Sequence, residues 1–308
     1  MARLLLERFP SLPHVELCAL PTPVRPLEAL APGLWMKDDS RIAPLWGGNK
    51  PRKLEWLIAD AKARGRRTLL TFGGLATNHG LATALYAREH GLRCVLALVD
   101  QPVDAHVERQ LERIHASGAH VYLTRTKART AASLPWLVLR HGRAYFVPPG
   151  GSSPVGTRGF VEAALELGEQ VRAGELPEPA TVWCAHGSGG TAAGLALGLR
   201  MAGLRTQVRA VHVNDGLTLT ERTVERLARR TARGWGVDGL NELEVVHGWL
   251  GAGYGHGTPE ARRAIERARD AEGLTLDPVY TGKTMAAVLD HMERADGPAL
   301  YWHTYNAV

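Results

Sequence analysis

From Thr68 onward short apolar runs alternate with helical stretches, and that alternation restricts the chain to few architectures. Thr68–Phe72 reads as a buried strand, and Asn78–His90 as a helix with Leu81, Ala84 and Leu85 inward, stopped by Gly91. Strand Cys94–Val99, helix Asp104–Ala116, strand His120–Leu123, helix Ala131–Arg140 and strand Ala144–Val147 follow. Strands joined by helices of roughly 10–15 residues imply parallel sheet with helices on its faces. Pro148 to Gly156 is the strongest breaker in the chain and a place for it to cross between domains. The alternation then resumes with helices Thr157–Ala173, Thr191–Met201, Thr218–Arg233, Pro259–Glu272 and Lys283–Ala295. Strands Thr181–Cys184, Gln207–Val213 and Ala299–Trp302 lie among them. Residues 1–49 are Pro-rich and irregular, with Leu34 to Asp39 as a short strand running into a polar turn. The expected fold class is therefore α/β.

Composition excludes several alternatives. At 308 residues, 45% apolar and 22% charged, the chain can bury the cores of two α/β domains. No apolar run approaches the roughly 18 residues of a membrane span, and the first residues lack the apolar core of a signal peptide. Net charge is +6, but the charges are interspersed. The densest basic segment, Arg222 to Arg233, has Val224, Leu227 and Ala228 on one helical side and reads as a solvated helix face. Cys18, Cys94 and Cys184 are widely spaced and odd in number, as expected of reduced, buried thiols in a cytoplasmic protein. No metal site, membrane or nucleic acid is expected.

Four polar or glycine-rich turns fall at strand ends, where open α/β sheets bind ligands. The first is Gly47-Gly48-Asn49-Lys50-Pro51-Arg52-Lys53-Leu54-Glu55. Pro51 suits a first helical position, and the residue before a proline is disfavoured from helical geometry, so Lys50 is expected at the mouth of a helix. The chain has six lysines against 31 arginines. A lysine in such a turn suggests work that needs an amine, such as imine formation. The second turn, Gly73 to His79, offers hydroxyl, amide and imidazole groups; Asn78 there would also serve as a plain helix N-cap. The third, His186-Gly187-Ser188-Gly189-Gly190-Thr191, has the makings of an anion cradle at a helix N-terminus, or of tight helix-on-sheet packing. Tyr280-Thr281-Gly282-Lys283, with His303-Thr304 near the end, is the fourth. A phosphate cradle and an imine-forming lysine together match pyridoxal 5′-phosphate.

These motifs, with Gly150-Gly151-Ser152, Gly253-Tyr254-Gly255 and Leu276 to Lys283, resemble the D-cysteine desulfhydrase / ACC deaminase family of pyridoxal-phosphate enzymes, in order along most of the chain. The resemblance implies the tryptophan-synthase-β-like fold, fold type II. Residues 1–49 and 155–308 would form a large cofactor-binding domain, and 50–154 a small inserted one. It implies Lys50 as the Schiff-base lysine, and Gly187, Ser188, Gly189, Gly190 and Thr191 on the phosphate. Asn78 would bind the phenolic oxygen and Thr304 would face the pyridine nitrogen. Thr77 would lie near the substrate carboxylate, where the family usually has serine, its extra methyl narrowing the pocket. Tyr254 and Tyr280 match active-site tyrosines. His79, His186 and His303 are expected to pack rather than react. The implied activity is α,β-elimination from a small amino acid to an α-keto acid and ammonia, in a homodimer. ACC ring opening, racemisation and β-replacement on the same cofactor are the alternatives, with a non-catalytic cofactor carrier or sensor outside enzymes.

Overall fold

The protein, seen as a computed structural model, is described for residues 3–216, 219–294 and 297–308, and for the backbone alone at His106. The expected helix start at Thr218 and helix end at Ala295 lie outside those residues. The elements run α1 (Leu4–Arg8), β1 (Val24–Pro26), β2 (Leu34–Asp38), α2 (Asn49–Ala63), β3 (Thr68–Gly74) and α3 (Asn78–Glu89). Then come β4 (Arg93–Val99), α4 (Ala105–Ala116), β5 (His120–Arg125), α5 (Lys127–Arg140), β6 (Tyr145–Phe146) and α6 (Pro154–Arg172). The chain closes with β7 (Thr181–His186), α7 (Gly190–Ala202), β8 (Gln207–His212), α8 (Glu221–Thr231), β9 (Leu243–Val246), α9 (Pro259–Glu272), α10 (Thr281–Met292) and β10 (Ala299–His303).

Two sheets result. One runs β5-β4-β3-β6 and is parallel throughout. The other runs β1-β2-β10-β7-β8-β9 and is parallel except for β1 against β2. The α/β architecture with helix-covered parallel sheets is as expected. Elements α1, β1 and β9 were not anticipated, because runs of three to five residues carry too little periodicity to read. Helix α5 starts at Lys127 rather than Ala131, since the Thr126 hydroxyl accepts from Arg129 N and caps it early.

Helix α2 holds the two layers together. Leu54, Leu57 and Ile58 join the core on the four-stranded sheet, while Trp56 joins the core between α6, α7 and the six-stranded sheet. A helix buried on all sides from Pro51 to Ala61 has no outer face to carry charge to water. Its first turn therefore opens where the two sheets meet. Helix α6 packs against it, and α7 packs closely on α6: a Cβ on Gly194 would lie 2.5 Å from the Phe160 Cβ, and one on Gly198 2.6 Å from the Val161 carbonyl oxygen. Only glycine permits that approach.

The basic segment is the outer face of α8, with Val224, Ala228 and Thr231 buried beneath it. All three cysteines are buried and unbridged. No helix among the described residues is long and apolar enough to cross a membrane.

Candidate active site

The first turn sets the geometry. Gly48 takes φ 71° and ψ −157°, a backbone state side chains rarely adopt, and so starts the helix at Asn49. Lys50 thus stands inside the first turn of α2, one residue deeper than the pre-proline rule suggests. That rule states a steric bias, and here it yields to the glycine-driven helix start. A Cβ on Gly48 would come 2.4 Å from the Thr304 carbonyl oxygen, so the Lys50 turn and the end of β10 lie against each other. The half-buried Lys50 donates from Nζ to Asn49 Oδ1 at 2.6 Å. Burial lowers its amine to about 8, with the Asp277 carboxylate opposing the fall.

One turn further on, Lys53 is fully enclosed. Its Nζ donates to the Gly150 carbonyl at 3.2 Å and lies over the Phe160 ring. Burial, with the Lys50 charge beside it, lowers Lys53 to about 7.

The glycine-rich loop after β7 forms the cradle. Gly189 takes φ 84°, which turns the loop into the N-terminus of α7 at Gly190. Gly190 N donates to Ser152 Oγ at 3.0 Å, and Ser152 Oγ meets Ser188 Oγ at 2.8 Å. A Cβ on Gly190 would sit 2.5 Å from Ser152 Oγ and 3.1 Å from Lys53 Nζ. From behind, Asn214 Nδ2 donates to the Gly187 carbonyl at 2.7 Å. The hydroxyls of Ser152 and Ser188, the Gly190 N–H at the N-terminus of α7 and the Lys53 amine thus lie together, with Thr191 next in the first turn of that helix. That donor set suits a phosphate monoester.

On the other wall, Tyr280 and Tyr254 meet hydroxyl to hydroxyl with their rings edge to face. Tyr280 also lies against the loop, its Cε1 3.3 Å from where a Cβ on Gly187 would be. Burial raises both phenols, Tyr280 well above its ordinary value, so both stay protonated at neutral pH. The Tyr254 ring is open to solvent along one side, 48% exposed. Lys283 on α10 steadies its loop, donating from Nζ to the carbonyls of Leu250 and Gly253.

Thr77, rather than Asn78, is the N-cap of α3: its Oγ1 accepts from Gly80 N at 3.1 Å. Its methyl packs over Gly80, where a Cβ would come 2.4 Å from Cγ2. The missing side chain of Gly80 thus makes room for the carbon by which threonine exceeds serine. Asn78 is exposed, and its Oδ1 accepts from Gln110 Nε2 at 2.8 Å, so α4 fixes which way its amide faces. His79 is buried; burial, then the Lys50 and Lys53 charges, push it down to about 3, with the Pro148 backbone opposing the fall. It is neutral near the two lysines. The Thr304 hydroxyl makes no hydrogen bond among the described residues. His186 and His303 are buried, and Nδ1 of His303 lies 3.4 Å from the Tyr301 hydroxyl.

Three residues of this site were given no role in reading the sequence. Lys53 lies three residues after Lys50, a spacing that puts both on one helix face. Ser152 reaches the cradle from the Pro148–Gly156 connection, and only the glycine pair before it hinted at a close approach. Asp277 lies in the turn before α10 and accepts from the N–H groups of Val279, Tyr280 and Thr281.

A family model described as pyridoxal-phosphate dependent enzyme matches residues 15–302. The D-cysteine desulfhydrase of Serratia proteamaculans (strain 568) is 34% identical over 320 residues, covering 98% of this chain and 96% of that protein. Its counterpart in Salmonella paratyphi B is 36% identical over 322 residues, covering 98% and 95%. A crystal structure of an ACC deaminase homologue superposes with a TM-score of 0.85 at 28% identity, covering 100% of this chain and 96% of that one.

Proposed function

This chain belongs to the pyridoxal-phosphate dependent enzymes, and from that premise we propose that it is a deaminating lyase of small amino acids, acting as a D-cysteine desulfhydrase does. The observation that carries this reading is the meeting of Lys50, with its amine near 8, and the Lys53–Ser152–Ser188 cradle. An imine-forming lysine and a phosphate-sized anion site stand together at the strand ends of an enzyme fold.

In this reading Ser152, Ser188, Thr191, the N–H groups of Gly187 to Gly190 and the Lys53 amine hold the phosphate. The Asn78 amide would donate to the phenolic oxygen, and Thr304 would face the ring nitrogen. The cofactor, when bound, supplies the electron sink for charge left at the substrate α-carbon. Lys50 would hold the cofactor, and its amine, once free and lowered toward neutrality by burial, would take the α-proton. Thr77 Oγ1 and the adjacent N–H groups orient the substrate carboxylate. Tyr254 and Tyr280, held protonated, are placed to supply a proton to the leaving group. The net change removes an α-hydrogen and a β-substituent. Water then enters, so that D-cysteine gives pyruvate, ammonia and hydrogen sulfide.

The division into a large domain of 1–49 with 155–308 and a small domain of 50–154, and assembly as a homodimer, belong to the same reading. The ACC deaminase alternative is favoured by the likeness of the fold to an ACC deaminase homologue. A panel of D- and L-amino acids and ACC, read out as keto acid and ammonia, tests the activity. Borohydride reduction and peptide mapping test the lysine: the pyridoxyl group is expected on Lys50, and finding it on Lys53, or on neither, overturns the assignment.

A further inference from the structure

Thr77 closes the turn between β3 and α3, and its side chain lies between two glycines. A Cβ on Gly73, in β3, would stand 2.5 Å from Thr77 Oγ1, 2.7 Å from its Cβ and 3.2 Å from Cγ2. A Cβ on Gly80, in the first turn of α3, would stand 2.4 Å from Thr77 Cγ2 but 3.5 Å from Oγ1. Gly73 thus faces the hydroxyl side of the threonine, and Gly80 faces its methyl. Beside Gly80 lies Leu96 of β4, with Cδ2 3.3 Å from the same point, and both residues are buried. The methyl is therefore on the side of the core of the four-stranded sheet. We propose that Gly73 and Gly80 form a slot that fixes the rotamer of Thr77, and that Gly80 lets this chain carry a threonine at the substrate carboxylate without narrowing the pocket.

The rotamer matters because two heavy atoms on the threonine Cβ must share the staggered positions. In the one observed, Oγ1 accepts from Gly80 N at 3.1 Å, which leaves the hydroxyl's own proton for another acceptor. The Thr77 N–H is tied to the Gly74 carbonyl at 3.1 Å, so the backbone beneath the side chain is held as well. Rotation about χ1 would break the cap on α3, carry the methyl out of the slot and move the hydroxyl away from the place it now holds. A side chain at position 80 forces that rotation, because the methyl occupies its space. Gly80 is in this sense a positioning residue, acting on substrate only through Thr77.

The inference rests on the reading that puts Thr77 at the substrate carboxylate, and its test separates the two. Gly80→Ala is made in the wild type and in Thr77→Ser, and urea denaturation of the full-length protein is compared. Alanine ordinarily stabilises a helix relative to glycine, so the sign is diagnostic. Gly80→Ala is expected to lower the urea midpoint, or to prevent folding, in the wild type, and to keep or raise the midpoint in Thr77→Ser. Gly73→Ala, which meets atoms that serine also has, should lower it in both backgrounds. In kinetics, Gly80→Ala should reduce kcat/KM for D-cysteine by roughly ten- to hundredfold in the wild type. In Thr77→Ser the same change should alter it by less than about twofold. Thr77→Ser alone should leave the ratio of kcat/KM for S-methyl-D-cysteine and D-cysteine as it is. An equal midpoint loss on Gly80→Ala in both backgrounds, or failure to fold in both, overturns the proposal. So does a selective gain for the bulkier substrate in Thr77→Ser, or coupling in unfolding with none in kcat/KM. Absence of lyase activity in the wild type would instead strike the proposed function, while the unfolding comparison would still decide the slot.

Discussion

Arg52 grips Asp39 through two hydrogen bonds, Nε to Oδ2 and Nη2 to Oδ1, each 2.8 Å, with both side chains almost wholly buried. The same carboxylate accepts from Trp302 Nε1 at 2.8 Å. The Asp39 backbone donates to the His303 carbonyl and accepts from Gly48 N. One residue thus ties the turn before Lys50 to the strand end before Thr304. Glu166 and Lys37 complete the charge cluster around Arg52.

Breaking that pair should be expensive. Asp39→Asn keeps the shape but leaves Arg52 short of half its counter-charge in a dry interior, where removing one partner costs about 3–5 kcal/mol. Trp302→Phe removes one hydrogen bond to the carboxylate and should cost about 1.5–3 kcal/mol. Urea denaturation of the two variants measures both. Equal, sub-kilocalorie losses would mean that the cluster is not what holds the two segments together.

The same cluster predicts a pH dependence. Burial raises the Glu166 carboxyl, but Arg52 and then Lys37 outweigh it and hold it down to about 2, against an ordinary value of 4.5. A depressed carboxyl stabilises the fold above its unfolded value and loses that contribution as pH falls through the folded one. The stability gap between wild type and Glu166→Gln should therefore be full above about pH 5 and shrink toward pH 2. A gap that widens on acidification reverses the sign and refutes the ion pairing.

At the cradle, the expectation concerns the cofactor. Gly189→Val forces a branched side chain into φ 84°, and Gly190→Ala puts a methyl against Ser152 Oγ and Lys53 Nζ. Both should weaken pyridoxal 5′-phosphate binding, measured by equilibrium dialysis. Lys53→Ala should weaken it too while sparing affinity for pyridoxal, which lacks the phosphate. Undiminished phosphate-dependent binding in all three would place the phosphate elsewhere.

The choice of substrate is expected to follow from Thr304. With Thr304 placed as proposed, facing the ring nitrogen, a hydroxyl would not keep that nitrogen protonated as a carboxylate would, and the electron sink would be weaker. The chain has no Asp or Glu from Tyr301 to Val308 to take that place. Elimination tolerates a weak sink, because the leaving group carries the charge away; opening an unactivated cyclopropane does not. Values of kcat/KM for D-cysteine and β-chloro-D-alanine are expected to exceed that for ACC, and a higher value for ACC than for both would sink the argument.

Periodicity made the α/β fold legible, because burial of one face imposes a repeat on any strand or helix long enough to show it. Thr68–Phe72 and Asn78–His90 could be read from residues that are neighbours in sequence. So could the singularity of Lys50, through the glycines and proline around it. What the chain could not display locally was distance. Asp39 meets Trp302 across nearly the whole length of the chain, Ser152 reaches Gly190 from another connection, and Lys53 is drawn under the cradle by a helix buried on both sides. Nothing in the few residues around each of these reveals its partner. The amine of Lys50 falls to about 8 because folding removes it from water and sets Asp277 against it. Its type and place in the turn are written in the sequence, but its protonation is decided only by the groups that tertiary packing gathers around it.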